Sequence, residues 1–272
     1  MQIINELSAD GTWFELTRDR VSVKDPIVLI HGVGLDLEMW DPQIAALTEH
    51  YSVLRYDMMG HGKSKAGAVN GIGTFIDQLK DLLAYLEIDR CHLAGLSMGG
   101  VVAQGFARTE HDRLKTLILM NTVYRRTEAE LLGMRARLEL TREEGLKPIA
   151  DAAIARWFDP HFQKAYPERI ETIRRKMLSN QLKPYVLAYG ALVEADSEIK
   201  DALTRVKCPT LVLTGELDPG STPEIAHRMI NDLTNGELIV LPGLHHLTSW
   251  EDPDLVNSVL LKFLGRHTQR GA

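Results

Sequence analysis

Short apolar runs that alternate with helical patterns constrain this chain most. Strand-length segments recur at Trp13 to Leu16, Ile27 to Ile30, Ser52 to Tyr56, Cys91 to Ala94, Thr116 to Met120, Thr210 to Leu213 and Leu238 to Leu241. Nearly every position in them is apolar, as expected of strands covered on both faces. Between them, Phe75 to Leu86 places Phe75, Ile76, Leu79, Leu82, Leu83 and Leu86 at helical spacing, and Val101 to Ala107 continues in the same way. Strands that alternate with helices predict an α/β fold with a mostly parallel, doubly wound sheet.

The rhythm stops between residues 124 and 196. That stretch reads as consecutive helices, "RRTEAELLGMRARLELTREEGL", "KPIADAAIARWF", "PERIETIRRKMLSN" and "PYVLAYGALVEA", punctuated by prolines at 148, 160, 167 and 184. We therefore expect a core built from residues 1–123 and 197–272, carrying a helical cap inserted at 124–196. The 272 residues are ample for a large core without staples. Cys91 and Cys208 lack the spacing of a disulfide framework or a zinc site and read as small buried residues.

A net charge of −6 with acids and bases interleaved leaves no basic stripe for phosphates, so nucleic acid is not an expected partner. No apolar run approaches the ~20 residues that span a bilayer, so no membrane partner is expected. "MQIINELSAD" has neither a basic n-region nor an apolar h-region, which predicts a cytoplasmic location. A homo-oligomer stays open.

The chemistry concentrates around "HLAGLSMGG". Gly95-Leu96-Ser97-Met98-Gly99 lies between an apolar strand and a helical pattern, the setting of a strand-to-helix elbow. Glycines let strand and helix approach, Ser97 stands at the turn, and the Met98 N–H faces outward at the positive helix end. A serine hydroxyl needs a base to take its proton, and the base needs an acid to orient it. Both follow in order. "LVLTGELDP" offers Asp218 just beyond a strand, with Glu216 as the less favoured carboxylate. "LPGLHHLTSWEDP" then offers His245 and His246, which spacing alone does not separate. Upstream, "IHGVG" sets the Val33 N–H beside glycines as a second oxyanion donor, while His31 reads as a packed, hydrogen-bonded residue. The glycine-rich Tyr56 to Ser64 lacks the spacing of a phosphate loop and reads as a tight turn in which Asp57 and Ser64 bond the backbone. No cofactor and no metal are implied.

Taken together, the HG turn, the D-x-x-G-x-G-x-S loop, the elbow, the G-x-x-D acid and the P-G-x-x-H loop resemble the α/β-hydrolase superfamily over essentially the whole chain. The resemblance implies the α/β-hydrolase fold. Laid over Pro242 to Pro253, the family's "P-G-x-G-H-x-x-x-x-E-x-P" stretch matches its histidine to His246, with His245 where a glycine is usual. Within the superfamily the chain looks most like 3-oxoadipate enol-lactonases, through "GLSMGG", "MWDPQI", "LMNT" and "IADAAIARWFDPHF".

That likeness implies a serine hydrolase that cleaves a small carboxylic ester or lactone, with Ser97, His246 and Asp218 as the triad and the Val33 and Met98 amides as the oxyanion hole. It also makes Trp157 a pocket residue, and Arg135 is selected, ahead of Arg137 and Arg156, to meet a substrate carboxylate. C–C hydrolases of vinylogous diketones are the nearest alternative, although they usually carry asparagine where Leu96 stands; a ligand-binding protein with slow turnover is the other. Haloalkane dehalogenases need a carboxylate nucleophile, which Ser97 excludes.

Overall fold

The structure, a computed structural model, describes residues 2–18 and 25–268. The strands are β1 (Gln2–Leu7), β2 (Trp13–Arg18), β3 (Ile27–Ile30), β4 (Val53–Tyr56), β5 (Cys91–Leu96), β6 (Leu114–Met120), β7 (Thr210–Gly215) and β8 (Gly236–Leu241). They form one eight-stranded sheet in the order β1-β2-β4-β3-β5-β6-β7-β8. β2 runs antiparallel to both β1 and β4, and every other pairing is parallel. Every residue of β3, β4, β5 and β7 is buried, which is why these segments read as mostly apolar runs.

The helices are α1 (Asp41–Thr48), α2 (Gly73–Tyr85), α3 (Met98–Glu110), α4 (Glu128–Glu144), α5 (Leu146–Trp157), α6 (Pro160–Ala165), α7 (Pro167–Ser179), α8 (Leu182–Ile199), α9 (Pro223–Asp232), α10 (Thr248–Glu251) and α11 (Pro253–Thr268). Five of them, α4 to α8, lie between β6 and β7. A capping box starts this group: Thr127 N–H donates to Glu130 Oε2 at 2.7 Å and Glu130 N–H to Thr127 Oγ1 at 3.3 Å. No helix among the described residues is long and apolar enough to cross a membrane.

Three details differ from the sequence reading. β1 is additional to the expected strands: its exposed edge position gives no apolar alternation to detect. α6 is a single short helix whose start is fixed by Asp159, which accepts from His161 N–H at 2.6 Å and Phe162 N–H at 3.2 Å. The boundary drawn at residue 196 falls inside α8, which continues to Ile199. Its last turn has work in the core, since the Glu198 carboxylate accepts from Ile72 N–H at 3.2 Å and Gly73 N–H at 3.1 Å at the start of α2.

The elbow is where packing is tightest. A Cβ at Gly95 would overlap the Gly99 carbonyl, and one at Gly99 would overlap the Ile30 carbonyl, so β5, α3 and β3 meet backbone to backbone. Gly99→Ala should therefore lower stability by about 1–3 kcal/mol, as overpacking against backbone does. Chemical denaturation should show the loss, and an unchanged midpoint would contradict the tight approach.

Candidate active site

Ser97 follows β5 directly with φ 56° and ψ −119°, outside the regions open to most residues, and α3 begins at the next residue. The strained turn sets it on the wall of a cleft of about 580 Å³. Val33, Asp218, His246 and Trp157 line the same cleft. Among the described residues neither the Val33 nor the Met98 N–H has a hydrogen-bond acceptor. Two donors without partners beside a serine are what an oxyanion needs.

Asp218, 2% exposed, follows β7. Its Oδ2 accepts from His246 Nδ1 at 2.7 Å, and its Oδ1 accepts from the N–H groups of Gly220 at 2.9 Å and Ser221 at 3.0 Å. Burial opposes ionisation of this carboxyl, yet the imidazole, with hydrogen bonds from His246, Asn121 and Ser221, outweighs it and holds the pKa below the usual range. With Nδ1 engaged, Nε2 is the ring atom left for the cleft. Ser97 Oγ itself makes no hydrogen bond to the ring among the described residues. Trp157, at the end of α5, stacks on the imidazole with centroids 5.6 Å apart and planes at 29°.

The two adjacent histidines differ in their surroundings. His245 donates its N–H to Glu251 Oε2 at 2.5 Å, and its Nδ1 lies 3.3 Å from Glu251 Oε1. Oε1 also accepts Asp159 N–H at 2.7 Å, and the Leu247 N–H donates to the Trp157 carbonyl at 3.2 Å, so the loop and the α5–α6 junction are fastened together. Burial pushes the Glu251 carboxyl above its usual range. Glu216, the other carboxylate weighed, accepts the Gly243 N–H at 2.8 Å on the exposed side.

His31 is fully buried: its Nε2 accepts Met58 N–H at 2.9 Å, its Nδ1 lies 2.8 Å from the Gly32 carbonyl, and burial lowers its pKa to about 4. Asp57 accepts the N–H groups of Leu37 at 2.8 Å and Lys63 at 2.7 Å, and Ser64 Oγ donates to the Asp57 carbonyl at 2.6 Å, closing the glycine-rich turn.

Arg135 requires a correction. It does not reach the cleft: its side chain is 46% exposed and meets Glu128 Oε2 at 3.1 Å on the outer side of α4. Arg137, two residues on, is turned ~200° around the helix axis and lines the cleft, where its Nε donates to Tyr189 Oη at 2.9 Å. Arg156 of α5 lines it as well. Desolvation lowers the Arg156 pKa, and the neighbouring Arg137 charge adds to the effect. Among the described residues neither guanidinium has a carboxylate partner.

This sheet order, with a serine at the elbow after β5 and an acid and a histidine after β7 and β8, defines an enzyme of the α/β-hydrolase class. Residues 22–253 match the family described as serine aminopeptidase, S33, and the chain belongs to that family. Over 88% of this chain and 90% of the relative, it is 33% identical to (E)-2-((N-methylformamido)methylene)succinate hydrolase of Acinetobacter baylyi. It is also 33% identical to 3-oxoadipate enol-lactonase 2 of the same organism, over 85% of each chain. The crystal structure of the enol-lactonase from Burkholderia xenovorans superposes with a TM-score of 0.87 at 30% identity, covering 94% of this chain and 98% of that one.

The histidines can be told apart directly. His246→Ala should reduce kcat for p-nitrophenyl acetate by about 10⁴-fold or more, while His245→Ala, which leaves its N–H to Glu251 in place, should cost less than about tenfold. Equal losses would contradict the division of roles.

Proposed function

We propose that this hydrolase cleaves small carboxylic esters or lactones that carry a free carboxylate, enol-lactones of dicarboxylic acids among them, through a Ser97–His246–Asp218 triad. Ser97 Oγ attacks the carbonyl carbon while His246 Nε2 takes the hydroxyl proton. Asp218 keeps Nδ1 occupied and stabilises the imidazolium. The N–H groups of Val33 and Met98 receive the oxyanion, each a contribution of about 3 kcal/mol in comparable sites. Collapse breaks the C–O bond, and the imidazolium returns the proton to the leaving oxygen. In a lactone that oxygen stays tethered to the acyl group. Water, deprotonated by His246, then hydrolyses the acyl-enzyme and frees Ser97. Helices α4 to α8 act as the cap that shapes the cleft.

One observation carries the substrate class. Arg137 and Arg156 face the cleft that holds Ser97, and among the described residues neither forms an ion pair; the Asp218 carboxylate, bound to His246 and its other donors, offsets Arg156 only through its field. Two adjacent guanidiniums partly removed from water are unfavourable unless an anion joins them, and a carboxylate fits their planar donor geometry. The A. baylyi relatives are named for a methylenesuccinate and an oxoadipate derivative, both built on dicarboxylic skeletons. The family's description names an aminopeptidase, but the ammonium group of a peptide would meet two like charges here.

The test is a hydrolysis screen that pairs carboxylate-bearing enol-lactones and esters with neutral esters such as p-nitrophenyl acetate. Arg156→Ala should raise KM for the acidic substrates by about 10–100-fold, the worth of a charge-assisted hydrogen bond, and leave KM for the neutral ester within about twofold. Equal effects on both substrate sets would contradict carboxylate recognition. Ser97→Ala should abolish turnover of both.

A further inference from the structure

Asn121, the third residue of "LMNT" at the end of β6, is fully buried and holds left-handed backbone with φ 43°. It does not line the cleft, and the acyl-transfer steps do not use it. Its hydrogen bonds nevertheless run to the acid and to the histidine loop. Nδ2 donates to Asp218 Oδ2 at 3.0 Å and to the His245 carbonyl at 3.1 Å. Oδ1 accepts from Thr248 Oγ1 at 2.9 Å. Its N–H donates to the Leu213 carbonyl at 2.8 Å, and its own carbonyl accepts from Ser221 Oγ at 2.9 Å. The next residue, Thr122, donates Oγ1 to the Ser97 carbonyl at 2.6 Å. The amide's orientation follows from chemistry: a carboxylate and a main-chain carbonyl only accept, so the atom between them is the NH₂ group.

Asp218 Oδ2 is thus shared between two donors, Asn121 Nδ2 and His246 Nδ1. The amide hydrogen fixes the carboxylate's rotation and places partial positive charge against the oxygen that attracts the imidazole proton. Without it, Oδ2 would hold an imidazolium more strongly, and the ring would surrender its proton only at higher pH. The second donation, to the His245 carbonyl, anchors the peptide immediately before His246.

We propose that Asn121 is a positioning residue of the triad, which orients the Asp218 carboxylate and the His246 loop together and sets how readily the imidazole releases its proton. This rests on the triad reading above. The pH dependence of kcat/KM for p-nitrophenyl acetate tests it in wild type, Asn121→Gly and Thr248→Val. Glycine accepts the left-handed backbone and removes only the amide, whereas Thr248→Val removes the hydroxyl that steadies it. The other charged groups around the imidazole are unchanged in all three proteins: Asp218 after β7, Arg137 on α4, Arg156 on α5 and the His245–Glu251 pair on its own loop.

In Asn121→Gly the acid limb should move up by about 0.5–1 pH unit, with kcat down about 10–100-fold and KM within about twofold. Thr248→Val should shift the limb in the same direction by less, and it decides the matter alone if Asn121→Gly does not fold. An acid limb that stays or falls in the folded variants, whatever the loss of kcat, would overturn the proposal and leave only a structural role. Ser97→Ala separates the two readings: retained turnover there would overturn the triad itself, whereas an inactive Ser97→Ala with unmoved acid limbs would overturn the role of Asn121 alone.

Discussion

The backbone contact between β5, α3 and β3 is the constraint on which the rest of this molecule depends. Holding Ser97 at φ 56° costs on the order of 1–3 kcal/mol, and the strain persists because the chain is fixed on both sides. Before it, the whole of β5 is buried and paired with β3 and β6. After it, α3 is buried continuously from Met98 to Ala107. Glycines at 95 and 99 allow the elements to come close enough to impose the turn. The same turn sets Ser97 on the cleft wall and leaves the Met98 N–H at the positive end of a helix, so one strained residue places a hydroxyl beside a helix dipole.

Parallel topology then brings the partners to the same edge of the sheet. β7 and β8 run alongside β6 in the same direction, so the loops that follow them carry Asp218 and His246 toward the end where β5 delivers Ser97. A buried carboxylate is unfavourable without partners. Asp218 has four donors, from His246, Asn121, Gly220 and Ser221, and this saturation lets it remain ionised beneath the surface. The helices inserted between β6 and β7 contribute two guanidiniums that, among the described residues, form no ion pair. In the function we propose, the triad performs acyl transfer and a substrate carboxylate meets the two guanidiniums.

Much of this was legible in the sequence, because burial on both faces leaves a strong apolar signal and an elbow demands glycines. The strands β3 to β7 are legible for the first reason, β8 for its apolar residues despite being only half-buried, and Ser97 for the second. What was hidden depended on direction or on a single contact. β1 is an exposed edge strand without apolar alternation. Helical spacing alone does not separate Arg135 from Arg137, and the buried stripe of Leu131, Met134, Leu138 and Thr141 shows which side of α4 faces inward. Asn121 lies in the "LMNT" stretch, but its partners are 97 and 124 positions away along the chain, beyond any local pattern.

Strain and topology single out Ser97, among the described residues, as the nucleophile we propose. Labelling the native protein with a fluorophosphonate and locating the adduct by peptide mass mapping tests that most directly. One adduct per chain is expected, on the peptide containing Ser97, and none after denaturation in urea before labelling. An adduct on another residue, or a native protein that does not react, would contradict it.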